Sequence, residues 1–107
     1  MQWLYLVLAG ICEIGWPLGL KLGEVDPKNK WLWIAIAAIA MGVSGAFLFL
    51  AQRSIPLGTA YAIWTGIGSV GTFIVGVIWF HDQATAFRII SVMFILAGII
   101  GLKLSAH

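Results

Sequence analysis

The second of four apolar stretches in this sequence limits the chain to one class of structure. Residues 31 to 51 are 21 consecutive positions without a charged side chain. A transmembrane helix needs about 20 such residues to cross the hydrocarbon core. Three further stretches, at about 3–22, 57–80 and 85–104, are separated by short polar segments. The sequence predicts an all-α integral membrane protein of four transmembrane helices, with residues 1–107 forming a single domain.

The composition agrees with a membrane environment. Of the 107 residues, 62% are hydrophobic and 9% are charged, and the mean hydropathy is +1.04. Soluble domains are about half apolar and about one quarter charged. The formal net charge of +2 does not indicate nucleic acid, because the six Lys and Arg residues lie mostly at the ends of apolar stretches. We therefore expect the lipid bilayer, and no nucleic acid, as a partner.

The distribution of basic residues predicts only a weak preference for one orientation. Loops this short make neighbouring helices antiparallel, so the first and third loops share one side of the membrane. Four basic residues lie on that side and two on the other, namely Lys21, Lys28, Lys30 and Arg88 against Arg53 and Lys103. Because Lys and Arg bias sets orientation, a difference this small is compatible with insertion in both directions.

One four-helix chain is too small to enclose a pathway alone. Many secondary transporters contain inverted repeats that place a binding site near the bilayer midplane, and pairing with an oppositely oriented copy would give the same symmetry. Small residues let helices approach closely, and the candidates are Gly15 with Gly19, and Gly98 and Gly101 with Ser91. These surfaces suit packing between copies or packing within one chain, and the sequence leaves both open.

Glu13 is the residue that points most directly to function. A charged carboxylate at the bilayer centre costs at least about 2.5 kcal/mol, and such groups normally face a cavity or partner on a substrate or proton path. One alternative is a permanently protonated acid that joins helices by hydrogen bonds. The other, a pair with a distant lysine, is disfavoured because no Lys or Arg lies at mid-depth in another predicted span.

Aromatic and hydroxyl side chains are predicted at a similar depth. Trp16 lies three residues after Glu13 and shares its helix face, and Tyr61 and Trp64 have the same spacing in the third span. Ser44 lies near the middle of the second span. A single aromatic residue is more often packing than ligand, but this set around a carboxylate suits an organic cation. No mid-depth histidine is present for hydrolysis or a metal site, and we expect no metal or cofactor.

Three segments carry a resemblance to a known family. They are Glu13 in the first span, GTAYAIWTGIG at 58–68 and GIIGLKLSAH at 98–107. With them, the chain resembles the small multidrug resistance family over essentially its whole length. The run at 64–68 is similar to the guanidinium-exporter subgroup, whereas exporters of quaternary ammonium usually have Ser or Ala where Thr65 stands.

The resemblance implies a function and a set of roles. It implies an antiparallel, dual-topology homodimer in the cell inner (plasma) membrane, a secondary active transporter rather than an enzyme, which exports guanidinium in exchange for protons. Glu13 would be the shared proton and cation site. In the family, further positions line the pocket or form hydrogen bonds to the glutamate. The residues at these positions here are Trp16, Ser44, Tyr61 and Trp64. Gly66 and Gly68 match glycines that let the third helix bend.

The segment EIGWPLGLK departs from the family pattern. Pro17 lacks the backbone N–H that would bond the carbonyl of Glu13, so we expect a kink or an altered pocket shape. An exporter of quaternary ammonium or aromatic cations is therefore the main alternative. Half of a heteromeric transporter and a non-transporting scaffold subunit are the remaining ones.

Overall fold

The computed structural model describes residues 2–105. Met1 lies outside the described residues, as do Ala106 and His107 of the C-terminal motif. Four α-helices follow one another, with a single 3₁₀ turn, Pro27–Asn29, between the first two. They are α1 (Gln2–Val25), α2 (Lys30–Ala51), α3 (Leu57–Trp79) and α4 (Ala86–Ser105). Each is long and apolar enough to cross a membrane, which confirms the predicted all-α class of multi-pass membrane protein.

The connection between α1 and α2 is shorter than the sequence suggests. The predicted spans 3–22 and 31–51 leave residues 23–30 as a loop, and this is wrong at both ends, because α1 continues to Val25 and α2 begins at Lys30. The backbone N–H of Asp26 still donates to the carbonyl of Leu22 at 2.9 Å. Pro27 then opens the 3₁₀ turn, where its fixed φ is favourable and its missing N–H costs nothing.

Helix α1 packs between α2 and α3, and glycines bring the backbones close together. A Cβ atom added at Gly15 would lie 2.9 Å from the Cβ of Ala40 on α2, and one at Gly19 would lie 3.0 Å from that of Ala37. On the other side, a Cβ added at Gly10 would lie 2.6 Å from Ile67 of α3. The Gly15 and Gly19 pair therefore serves packing within the chain, one of the two alternatives that the sequence left open.

Helix α4 lies at the outside of the molecule. None of its residues is buried, and a Cβ added at Gly98 or Gly101 would meet no atom of the described residues within 4 Å. The chain measures 48 × 34 × 17 Å. An α-helix with its side chains is about 10–12 Å across, so the shortest dimension is less than the combined width of two helices.

Candidate functional site

Glu13 and Trp16 form a hydrogen-bonded pair on α1. The indole N–H of Trp16 donates to Oε1 of Glu13 at 2.6 Å, and both side chains are half-buried. The three-residue spacing places them on one helix face, as predicted. An indole donor to a carboxylate forms a charge-assisted bond, which is stronger than a bond between neutral groups. The bond fixes one carboxylate oxygen of Glu13, and no described side chain donates to Oε2.

Gly68 of α3 lies directly against the Glu13 side chain. A Cβ added there would stand 2.6 Å from Cγ of Glu13 and 3.1 Å from its Cβ. Any larger residue would displace the carboxylate. The absence of a side chain at position 68 thus determines where the Glu13 carboxylate lies between α1 and α3.

A cavity of about 330 Å³ opens beside this pair. Helix α1 contributes Glu13, Trp16 and Pro17 to its wall, and helix α3 contributes Thr65, Gly68, Ser69 and Thr72. Sequence reasoning used Thr65 only as a subgroup marker and missed Ser69 and Thr72. Their signal is the spacing of i, i+4 and i+7, which places three hydroxyl groups on one helix face. The hydroxyl of Ser69 donates to the carbonyl of Thr65 at 2.7 Å.

A second group of predicted residues connects α1, α2 and α3. Ser44 of α2 is fully buried, donates its hydroxyl proton to the carbonyl of Ala9 at 2.7 Å and accepts the indole N–H of Trp64 at 2.8 Å. The ring of Tyr61 packs on that of Trp64 with centroids 5.3 Å apart. Tyr61 remains 55% exposed.

The structure therefore brings some predicted residues together and separates others. Glu13, Trp16 and Gly68 meet at the cavity, whereas Ser44, Tyr61 and Trp64 do not line it. Within residues 2–105, the Ser44 proton goes to a backbone carbonyl and not to the Glu13 carboxylate.

Gly66 and Pro17 have different positions relative to this site. Gly66 faces α4, where an added Cβ would lie 2.7 Å from Cδ1 of Ile99. Helix α1 continues through Pro17 as one helix, and the proline forms part of the cavity wall.

The cavity has the chemistry of a cation site. One carboxylate supplies negative charge, an indole supplies a π-face, and hydroxyl oxygens supply further acceptors. A planar cation with several N–H donors can bond the free carboxylate oxygen and stack on the indole. The site is open to the surface of the single chain, since Thr65 and Ser69 are exposed.

Comparison with known proteins agrees with this chemistry. A family described as Small Multidrug Resistance protein matches residues 1–95. The chain is 47% identical over 107 residues, covering all of both chains, to proteins named Guanidinium exporter from Citrobacter freundii and Salmonella typhimurium. It is 45% identical over 106 residues to a protein of the same name from Yersinia pseudotuberculosis, covering 99% of this chain and all of the relative.

Proposed function

We propose, since this chain belongs to the small multidrug resistance family, that it is a proton-coupled antiporter exporting guanidinium and small guanidinyl cations across the cell inner membrane. The relatives named guanidinium exporter support the choice of cation, and they match this chain from end to end. The protein acts as a secondary transporter, and the guanidinium ion crosses the membrane chemically unchanged.

The observation that carries the proposal is the placement of Glu13 in an apolar helix beside a cavity. A bare carboxylate in this position is costly, so the states in which Glu13 binds a proton or a cation are favoured. Guanidinium offers forked N–H donors to the carboxylate and a planar face to the indole of Trp16. The bond from Trp16 to Oε1 supports this assignment because it orients the carboxylate and leaves Oε2 for the cation.

Coupling follows from competition for one carboxylate. A proton and a guanidinium ion each neutralise Glu13, and they cannot do so together. The protein reorients when Glu13 carries either ion, because moving the bare charge through hydrocarbon is the costly alternative. Protons that enter down their gradient therefore expel the cation.

The working unit in this proposal is an antiparallel homodimer of dual topology. Two observations support it: the chain is 17 Å thick in its shortest dimension, and α4 has no buried residue against its own chain. Each copy contributes one Glu13. Tyr61 and Trp64 do not line the cavity of the single chain and would complete the pocket in the dimer, with Ser44 holding the Trp64 indole in place. Gly66 and Gly68 let α3 bend as the dimer alternates, since glycine within a helix weakens it relative to alanine.

The direct test is exchange in proteoliposomes. We expect a guanidinium gradient to drive proton movement in vesicles containing the wild-type protein, and we expect Glu13→Gln to abolish it. Glu24→Gln is the matched control, because Glu24 is an exposed carboxylate on the same helix and pairs with Lys21 at 3.9 Å. Proton exchange by Glu13→Gln at the wild-type rate would refute the proposal.

An exporter of bulkier quaternary ammonium or aromatic cations is the second candidate. It is favoured by Pro17, which forms part of the cavity wall. Flux measurements with guanidinium and with a tetraalkylammonium ion in the same vesicles separate the two. We expect Pro17→Ala to alter the ratio of the two fluxes, and an unchanged ratio would exclude a role of Pro17 in selection. A protein that moves neither ion would instead fit a scaffold subunit.

A further inference from the structure

A second cavity, of about 250 Å³, adjoins the one beside Glu13. Pro17 and Thr72 line both cavities, which are therefore neighbours along the groove between α1 and α3. The second cavity extends toward the C-terminal end of α3, where Lys21, Phe80 and Asp82 form its wall. The predicted function makes no use of these three residues.

The turn after α3 holds the Asp82 carboxylate at this cavity. The backbone N–H groups of Phe80 and Asp82 both donate to the carbonyl of Gly76 at 3.0 Å, and His81 between them adopts a left-handed φ of 57°. This is a helix-ending geometry that reverses the chain. It brings Oδ2 of Asp82 onto Gly76, where an added Cβ would collide with it. A glycine again determines where a carboxylate lies.

The ring of Phe80 already faces a cation of the chain itself. The ammonium Nζ of Lys21 lies 5.9 Å from the ring centroid, within the range of a cation–π contact. Its ion-pair partner is Glu24, at 3.9 Å. Within residues 2–105 this is the one ion pair, so Asp82 has no cationic partner. The cavity therefore combines an unpaired carboxylate with a π-face that is occupied by a flexible ammonium.

We propose that this cavity is an entrance subsite for the transported small organic cation, in which Asp82 attracts the cation and Lys21 competes with it for the face of Phe80. The inference rests on the proposed function for the identity of the cation. The incoming ion displaces the Lys21 ammonium, stays briefly between Asp82 and the ring, and then moves along α3 to Glu13.

The spacing along α3 fits a direct movement of the cation from Asp82 to Glu13. Gly68 contacts Glu13 and Gly76 contacts Asp82, and Gly76 lies eight positions after Gly68. At 1.5 Å rise per residue the two contacts are about 12 Å apart along the helix. Thr72 lies midway and lines both cavities, so its hydroxyl provides an acceptor between the two carboxylates.

Opposite effects of two substitutions test the subsite. We expect Asp82→Asn to raise the guanidinium concentration at half-maximal transport about two- to fivefold, the range of a partly exposed ion pair, and Lys21→Gln to lower it similarly. The maximal rate stays within about twofold because Glu13 is unchanged. If both residues had a purely structural role, the two substitutions would change the half-saturating guanidinium concentration in the same direction. That result, or no change in either variant, would overturn the proposal.

The matched control is Asp26→Asn. It removes the same charge from a loop on the same side of the membrane, and the amide oxygen it introduces can still accept the bonds from Asn29 and Trp33. Asp26 does not line the second cavity. We expect half-saturation to stay within about 1.5-fold of wild type, since a distant exposed charge is screened by salt.

A binding measurement separates failure of this proposal from failure of the proposed function. In Glu13→Gln, the main site is removed and the second cavity stays intact. We expect guanidinium to shift the NMR signals of the Phe80 ring and the Lys21 side chain saturably in this variant, and to lose that effect when Asp82→Asn is added. Absence of the shift in Glu13→Gln would overturn the subsite even if wild-type vesicles transport guanidinium. A saturable shift would support the subsite even if wild-type vesicles transported no guanidinium.

Discussion

The buried hydroxyl of Ser44 links three helices at a single position. It donates to Ala9 of α1 and accepts from Trp64 of α3, so Ser44→Ala leaves an indole N–H and a carbonyl without their partner. We expect the free energy of unfolding in detergent to fall by about 1–2 kcal/mol. Ser69→Ala is the control, because the exposed Ser69 bonds only within its own helix, and it should change stability by less than about 0.5 kcal/mol. Equal losses in the two variants would contradict this role of Ser44.

Asp26 provides a pH-dependent contact in the connection between α1 and α2. Hydrogen bonds from Asn29 and then from the Trp33 indole hold the pKa of the Asp26 carboxyl below its usual value. A lowered carboxyl pKa stabilises the fold above the unfolded pKa, and this contribution is lost as the pH falls through the folded pKa. We expect the Trp33 indole N–H signal in NMR to stay constant at neutral pH and to shift with a midpoint below about 3.9. A midpoint above that value would contradict the assignment.

The contact of α1 with α3 depends on the missing side chain at Gly68. A Cβ there would lie 2.6 Å from Cγ of Glu13, so Gly68→Ala forces the glutamate to move. We expect the Trp16 indole N–H signal to lose its hydrogen-bonded shift and proton exchange to fall at least about tenfold, because misplacement of a binding group by about 1 Å has large effects. Folding should be weakened by about 1–3 kcal/mol.

Gly58→Ala is the matched control for that experiment. Gly58 lies on the same helix, and a Cβ added there meets no atom within 4 Å. Replacing glycine by alanine in a helix is favourable by roughly 0.5–1 kcal/mol, so this variant should be as stable as wild type or slightly more stable. If Gly58→Ala impaired exchange as much as Gly68→Ala, the cause would be helix flexibility and not displacement of Glu13.

At the level of the whole molecule, the exposed face of α4 predicts an assembly contact. In the part of the chain that the structure describes, a Cβ added at Gly98 has no neighbour within 4 Å, so Gly98→Phe can be accommodated within one chain. In the proposed dimer, the same ring would separate helices that pack through small residues. We expect cross-linking in bilayers to show loss of dimer for Gly98→Phe, a small effect for Gly98→Ala and unchanged helical circular dichroism for both. Equal dimer fractions in the two variants would exclude this face of α4 as the dimer contact.

The helices and the central acid of this protein follow from its residues alone. Long charge-free runs have no stable alternative to membrane helices, because every backbone polar group in lipid must be hydrogen-bonded internally. Helical spacing likewise places Trp16 beside Glu13, a contact that involves one helix only. These properties are local, so the sequence is sufficient to predict them.

The contacts between helices could be determined only from the tertiary structure. The sequence gives the depth of Ser44 but not the direction of its proton, which goes to Ala9 of another helix. It gives the glycines but not which helix each one faces: Gly19 faces α2, Gly68 faces Glu13 of α1, and a Cβ added at Gly98 has no neighbour within 4 Å among residues 2–105. Rotation of each helix about its axis is set by packing against its neighbours, and no local pattern contains that information.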